Sequence, residues 1–269
     1  MAPTTVSLSP GRPAARSLMA GGHVRSASVP CYTHPLLMDV DDQLLALRSW
    51  TSNPGQNPLS LAHVRALLCV LDELLHLPLA QGALVRAAAA CADSLLDGFL
   101  VLADAFGTFL AALLALRQHA AELRAAVRRR DAAKLASAAR AQRQVGKELE
   151  QLAAAVAREA ARCARASLQA SSTTCGAPAE LEITRTVAEA VNGTAVASAS
   201  SSSPKKRLPL SSRSKQQRCG SEEQREAAAL GKLQELEQCV GELESESEKV
   251  FRSLVQTRVS LLNIHTPTF

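Results

Sequence analysis

The sequence predicts an all-α fold, a bundle of long helices with coiled-coil-like heptad seams. Three observations lead there. Apolar residues make up 47% of the 269 positions but aromatic ones only 3%, so the core has to be built from Leu, Ala and Val. Ala and Leu lose little conformational freedom on entering a helix. Apolar residues also recur at alternating spacings of three and four over long proline-free stretches, the pattern of helices packed along their whole length.

Residues 1–33 hold Pro, Gly, Ser and Arg without periodicity and read as a disordered N-terminal arm. A helical bundle is expected over 34–191. Its first helix follows His34-Pro35 and runs to about Ser49, with Leu37, Leu44, Leu45 and Leu47 buried. Thr51 to Pro58 is a loop, rich in turn residues. A second helix spans about Leu59 to Leu77, with Leu61, Val64, Leu68, Leu71 and Leu75 on one face, and Pro78 ends or kinks it.

A single long helix is then expected from about Ala83 to Arg130. Ala92, Phe99, Phe106, Leu113, Ala120 and Val127 recur every seven residues, interleaved with Leu95, Leu102, Phe109, Leu116 and Leu123. Arg128-Arg129-Arg130-Asp131 marks a break. The period resumes with Leu135, Gln142, Leu149, Val156 and Cys163, together with Ala138, Val145, Leu152 and Ala166, in a helix to about Leu168. A short helix near Ala179–Val191 closes the bundle, and 192–220 reads as a Ser-rich basic linker.

A C-terminal long helix is expected over 221–264, before a tail at 265–269. Leu233, Leu236, Val240, Leu243, Ser247, Val250, Leu254, Thr257, Leu261 and Ile264 form its seam, with Ser221 as N-cap. Comparable seams elsewhere in the chain favour packing on the chain's own helices, with self-association through this helix as the alternative.

The net charge of +5 is unevenly spread. Residues 1–38 have three Arg and no acid, and 202–218 have six basic residues and no acid, whereas 39–201 balance sixteen against sixteen. A nucleic-acid reader would more often show a basic stripe with stacking aromatics, so nucleic acid is not the expected partner. Seven cysteines, an odd number without Cys-x-x-Cys or His partners at metal spacing, read as free thiols of a reducing compartment. No metal or cofactor is expected.

No apolar core follows the early arginines, so no secretory signal is expected, and the cytoplasm is the expected location. The acid-free Ser, Ala and Arg composition leaves a plastid or mitochondrial transit peptide as an alternative. The most apolar window, Phe99–Leu116, is interrupted by Asp104, and its longest uncharged run, Ala105–Leu116, holds only 12 residues. A membrane-spanning helix needs about 20, so a buried bundle helix is the expectation.

Two motifs carry regulatory chemistry. Arg25-Ser26-Ala27-Ser28-Val29-Pro30 places Arg three residues before Ser28 and Pro two after it, which suits a basic-directed kinase. Phosphorylated, it fits the pattern bound by 14-3-3 proteins, which grip the phosphate with an Arg cluster. Lys205, Lys206 and Arg207, with Arg213, Lys215 and Arg218, form a basic cluster. It reads as a solvated linker, with nuclear import or anionic lipid contact as alternatives. No catalytic constellation is evident: the histidines lie far apart, and there is no glycine-rich phosphate loop or Gly-x-Ser-x-Gly elbow.

Ordered marks run along the chain: His23 to Pro30, His34-Pro35-Leu36, Leu74 to Gln81, Ser94 to Gly98, Leu123 to Arg130, and Val250 to Ile264. Together they resemble a plant-specific family catalogued as domain of unknown function 241. The resemblance implies an all-helical protein with no established activity, linked to root and shoot development, and it brings no catalytic residues. The Ser-rich basic insert departs from the family pattern. The expectation is a non-enzymatic helical adaptor or scaffold with a phosphorylation-regulated arm. The alternatives are a peripheral membrane protein using the basic linker and an apolar helix, or a nuclear regulator.

Overall fold

The computed structural model describes residues 34–52, 61–172, 178–201 and 222–266, which form seven helices and no strand. They are α1 (Pro35–Ser52), α2 (Ala62–Leu75), α3 (Pro78–Arg86), α4 (Ala89–Arg129), α5 (Ala132–Ser172), α6 (Pro178–Ser201) and α7 (Glu222–His265). The fold is all-α. The arm 1–33, and the part of the expected linker beyond Ser201 up to Ser221, lie outside the described residues.

The spine is α4, about 62 Å long for its 41 residues. It packs antiparallel to α5 on one side and to α7 on the other. Its two interleaved apolar sets are the reason: Leu95, Phe99, Leu102, Phe106, Phe109, Leu113, Leu116, Ala120 and Leu123 are all buried. Burying one such Leu or Phe contributes about 1.5–3 kcal/mol relative to exposure. By length and composition α4 is the one described helix apolar enough to cross a membrane; here its apolar seam faces other helices.

Two cores share this spine. In the larger, the first half of α4 joins α1, α2, α3 and α6, with the second halves of α5 and α7. In the smaller, the second half of α4 meets Ala138 and Leu149 of α5 and Leu233, Leu236, Val240 and Leu243 of α7. Every seam position expected in α7, from Leu233 to Ile264, is buried within the chain.

The buried seam places α7, and complementary charge supports its register. Residues 117–147 carry nine basic and two acidic side chains, whereas 222–249 carry three basic and nine acidic. Arg117 pairs with Glu244 at 2.8 Å and Arg124 with Glu237 at 2.8 Å, one heptad apart on each helix, and Arg130 reaches Glu226 at 3.4 Å. Two side chains tie α7 to α2: Glu246 accepts from the Leu61 amide at 3.1 Å, and Ser260 Oγ donates to Asp72 Oδ1 at 2.9 Å.

Several boundaries differ from the sequence reading. The helix expected to start at Ala83 is divided: α3 and α4 are separated by Ala87 and Ala88, both with extended ψ. No glycine or proline marks the break. There α3 crosses onto α6 and α7 while α4 runs along α5, and packing outweighs the helix propensity of alanine. Pro78 starts α3 rather than simply stopping α2; Leu77 before it is extended, and the two helices bend by 83°.

The short helix expected to end at Val191 continues to Ser201, so 192–201 is helix rather than linker. Thr194, Ala195 and Ala197 are buried there, small residues that let helices approach closely. Leu45 and Leu135, expected in the core, are exposed, while Val40 and Trp50 are buried in α1. The break after α4 falls at Arg130, whose φ of 55° is left-handed. Asp131 then accepts from the Lys134 amide at 3.0 Å and caps α5.

At Gly98 of α4, side chains of α6 and α5 press close. A Cβ there would lie 2.9 Å from Val191 Cγ1 and 3.5 Å from Cys163 Cβ. Gly98→Ala is therefore expected to destabilise by roughly 1–3 kcal/mol in urea unfolding, despite a helix-propensity gain of about 1 kcal/mol. Combining it with Val191→Ala should recover part of the loss. Gly241, with nothing within 4 Å of a Cβ, should instead gain about 0.5–1 kcal/mol as Gly241→Ala. Reversing Arg117 and Arg124 to Glu should cost roughly 0.2–1 kcal/mol per pair. Reversing Glu237 and Glu244 to Arg as well should restore it; a fourfold variant no more stable than the twofold one would refute the ladder.

Candidate functional site

Arg25, Ser26, Ser28 and Pro30 of the arm, and Lys205, Lys206, Arg207, Arg213, Lys215 and Arg218 of the basic cluster, lie outside the described residues. The described histidines are not gathered: His119 Nδ1 lies 3.6 Å from Glu122 of its own helix, and His76 Nδ1 lies 2.6 Å from the Asp72 carbonyl. Among the described residues no three His, Cys, Asp or Glu side chains are placed to hold a metal ion. The Cys163 thiol is pushed up first by burial, with Arg162 opposing, which makes it a poor nucleophile.

The concavities differ in kind. A recess of about 30 Å³ between Phe106, Phe109, Leu152, Val156 and Ala199 is apolar and the size of one water. A broader cleft of about 790 Å³ opens where α4 and α5 approach their turn, lined by Ala121, Ala125, Ala141, Glu122, Arg129 and Lys134 among others. These surfaces offer contact area and charge.

A basic surface on α5 shows itself around the helix and not along the chain, where acidic and basic residues balance. Arg140, Arg143, Lys147, Arg158 and Arg165 are all exposed on α5. At 100° per residue they fall within an arc of about 60°, opposite the buried positions Ala138, Leu149 and Cys163. Their spacings of three, four, eleven and seven carried the signal in the sequence.

The marks of the family resemblance within the described residues have structural work. His34 caps α1: its Nδ1 accepts from the Leu36 amide at 3.2 Å, and its carbonyl accepts from Leu37 at 2.8 Å. Leu74 to Gln81 makes the bend between α2 and α3, with Leu74, Leu75 and Ala80 buried. Ser94 to Gly98 supplies the close approach to α6. Leu123 to Arg130 ends α4, and Val250 to Ile264 contributes Val250, Leu254, Thr257, Leu261 and Ile264 to the core.

Comparison with known proteins gives one finding. A family model described as protein BPS1 matches residues 60–264, which includes the marks from Leu74 onward. No curated protein matches, and no solved structure matches. The chain belongs to the BPS1 family, a plant protein family involved in development, a membership compatible with the plant resemblance of the marks.

One titratable group makes a pH signature. His265 ends α7 with Nε2 buried and without a hydrogen-bond partner. Burial lowers its pKa, with the Asp93 charge opposing. Its folded pKa lies below its unfolded one, so protonation favours the unfolded chain. This contribution is intact above the ordinary value of about 6.5 and is lost as pH falls below it. Thermal unfolding between about pH 8 and pH 5 should show a decline that is shallower in His265→Gln; equal slopes would assign the decline to other groups.

Proposed function

We propose that this member of the BPS1 family is a non-enzymatic helical adaptor or scaffold of the cytoplasm, acting in root and shoot development. Its N-terminal arm is the regulated part. A basic-directed kinase phosphorylates Ser28, and a 14-3-3 protein then binds Arg25, Ser26, Ser28 and Pro30. The single observation that carries this reading is the division of labour among the marks. Those within the described residues cap helices, bend the chain or fill the core. The segment His23 to Pro30 is the one whose residue types fit recognition by another protein.

The physical chemistry supports a switch. Phosphate on Ser28 adds about −1.5 to −2 charges at pH 7, in a segment with no acid before Asp39. It supplies three acceptor oxygens to an Arg cluster, and Pro30 turns the peptide away beyond the phosphate. The long exposed faces of α4, α5 and α7 are what an adaptor offers to further proteins.

Pull-down of 14-3-3 from plant extract is the test. Wild-type protein is expected to capture it, and phosphatase treatment or Ser28→Ala to reduce capture at least tenfold, the scale of one charge-assisted contact of about 1.5–3 kcal/mol. Equal, phosphatase-insensitive capture by both proteins would overturn the assignment of Ser28.

A further inference from the structure

We propose that the outward face of α5 is a docking surface for an anionic membrane, on which the protein adsorbs without inserting. The face consists of Arg140, Arg143, Lys147, Arg158 and Arg165. From Arg140 to Arg165 the helix rises about 38 Å, so the five cations form a straight row along it. None of them forms an ion pair among the described residues, although the chain pairs many of its other arginines: Arg48, Arg86, Arg117, Arg124 and Arg162 each hold a Glu. No carboxylate falls within the arc. Glu148 and Glu159 lie to one side of it and Glu150 borders the other.

Geometry selects the partner. A straight row on the crest of a helix meets a plane along its whole length. A nucleic-acid duplex curves away from such a row, and α5 has no aromatic side chain on which bases could stack. An acidic protein helix would have to match the uneven gap between Lys147 and Arg158, whereas a fluid sheet of anionic headgroups matches any spacing. Gln151 and Ala154 fill that gap, so no large apolar side chain on the crest enters the acyl region. Binding is therefore electrostatic, at the level of the headgroup phosphates, which guanidinium groups grip in a bidentate manner. Each basic residue near such a surface strengthens partitioning by about fivefold, and the attraction decays within a Debye length of about 8–10 Å.

The experiment is flotation of the full chain with phosphatidylcholine vesicles, with and without phosphatidylserine. Wild-type protein is expected to float with the mixed vesicles, to stay down with phosphatidylcholine alone, and to be released by raised salt. Arg140→Gln, Arg143→Gln and Lys147→Gln together should weaken partitioning about a hundredfold. Arg158→Gln with Arg165→Gln should weaken it about twentyfold. Circular dichroism should show both variants as helical as the wild type, because the five positions are exposed. Ser28→Ala should float like the wild type, which separates this inference from the one about the arm. Absence of flotation by the wild type would overturn the proposal. So would equal flotation by the variants, or binding lost only on substitution of Lys205, Lys206 and Arg207. Retention on duplex DNA through the same five residues, without vesicle binding, would reassign the face and overturn it too.

Discussion

The pairing of α4 with its two antiparallel neighbours is the constraint on which the rest depends. Helices in proteins draw most of their stability from tertiary packing rather than from propensity, and the 41-residue α4 buries a seam along its whole length. That seam is mixed, with Phe99, Phe106 and Phe109 among leucines and alanines, so it supplies both bulk and close approach. Once α4 is placed, α5 is directed by the turn at Arg130 and Asp131. The position of α7 is set by apolar contact and by a ladder of Arg and Glu.

The larger core depends on smallness as much as on apolarity. On α6, Ala188, Ala190, Ala195 and Ala197 are buried together with Thr184, Thr186 and Thr194. The hydroxyl of Thr184 donates to the Glu180 carbonyl one turn back, at 3.1 Å, which satisfies it without a partner from another helix. Gly98 on α4 and Gly193 on α6 leave room where Val191 and Leu44 press in. A core with so few aromatic rings reaches density by bringing helix axes together, and α6 is the element in contact with all of α1 to α5.

How much was legible follows from the same physics. The heptads of α4 and α7 could be read because a seam repeats over many turns, and each added turn strengthens the pattern. The seam of α7 was correct at every position from Leu233 to Ile264. The break at Ala87 and Ala88 was not legible: alanine is a strong helix former, and only the packing of α3 on α6 and of α4 on α5 favours a corner there. The extension of α6 was missed for a related reason. Ser, Thr, Gly and Ala over 192–201 have the composition of a linker, and only their burial shows that smallness serves packing. Leu135 follows the seven-residue spacing yet is exposed, because it lies in the first turn of α5, where a neighbour covers less of the helix. The cation row of α5 was hidden by a count that balanced to zero along the sequence.

The unbroken course of α4 from Ala89 to Arg129 has a mechanical consequence. The two cores share it, and no loop or glycine in a left-handed conformation interrupts it between them. They cannot swing about each other as hinged domains do. Fraying from the turn at Arg130 inward would open the smaller core first and leave the larger core's contacts in place. Within the described bundle, the turn at Arg130 is thus the end farthest from the helices that α6 gathers.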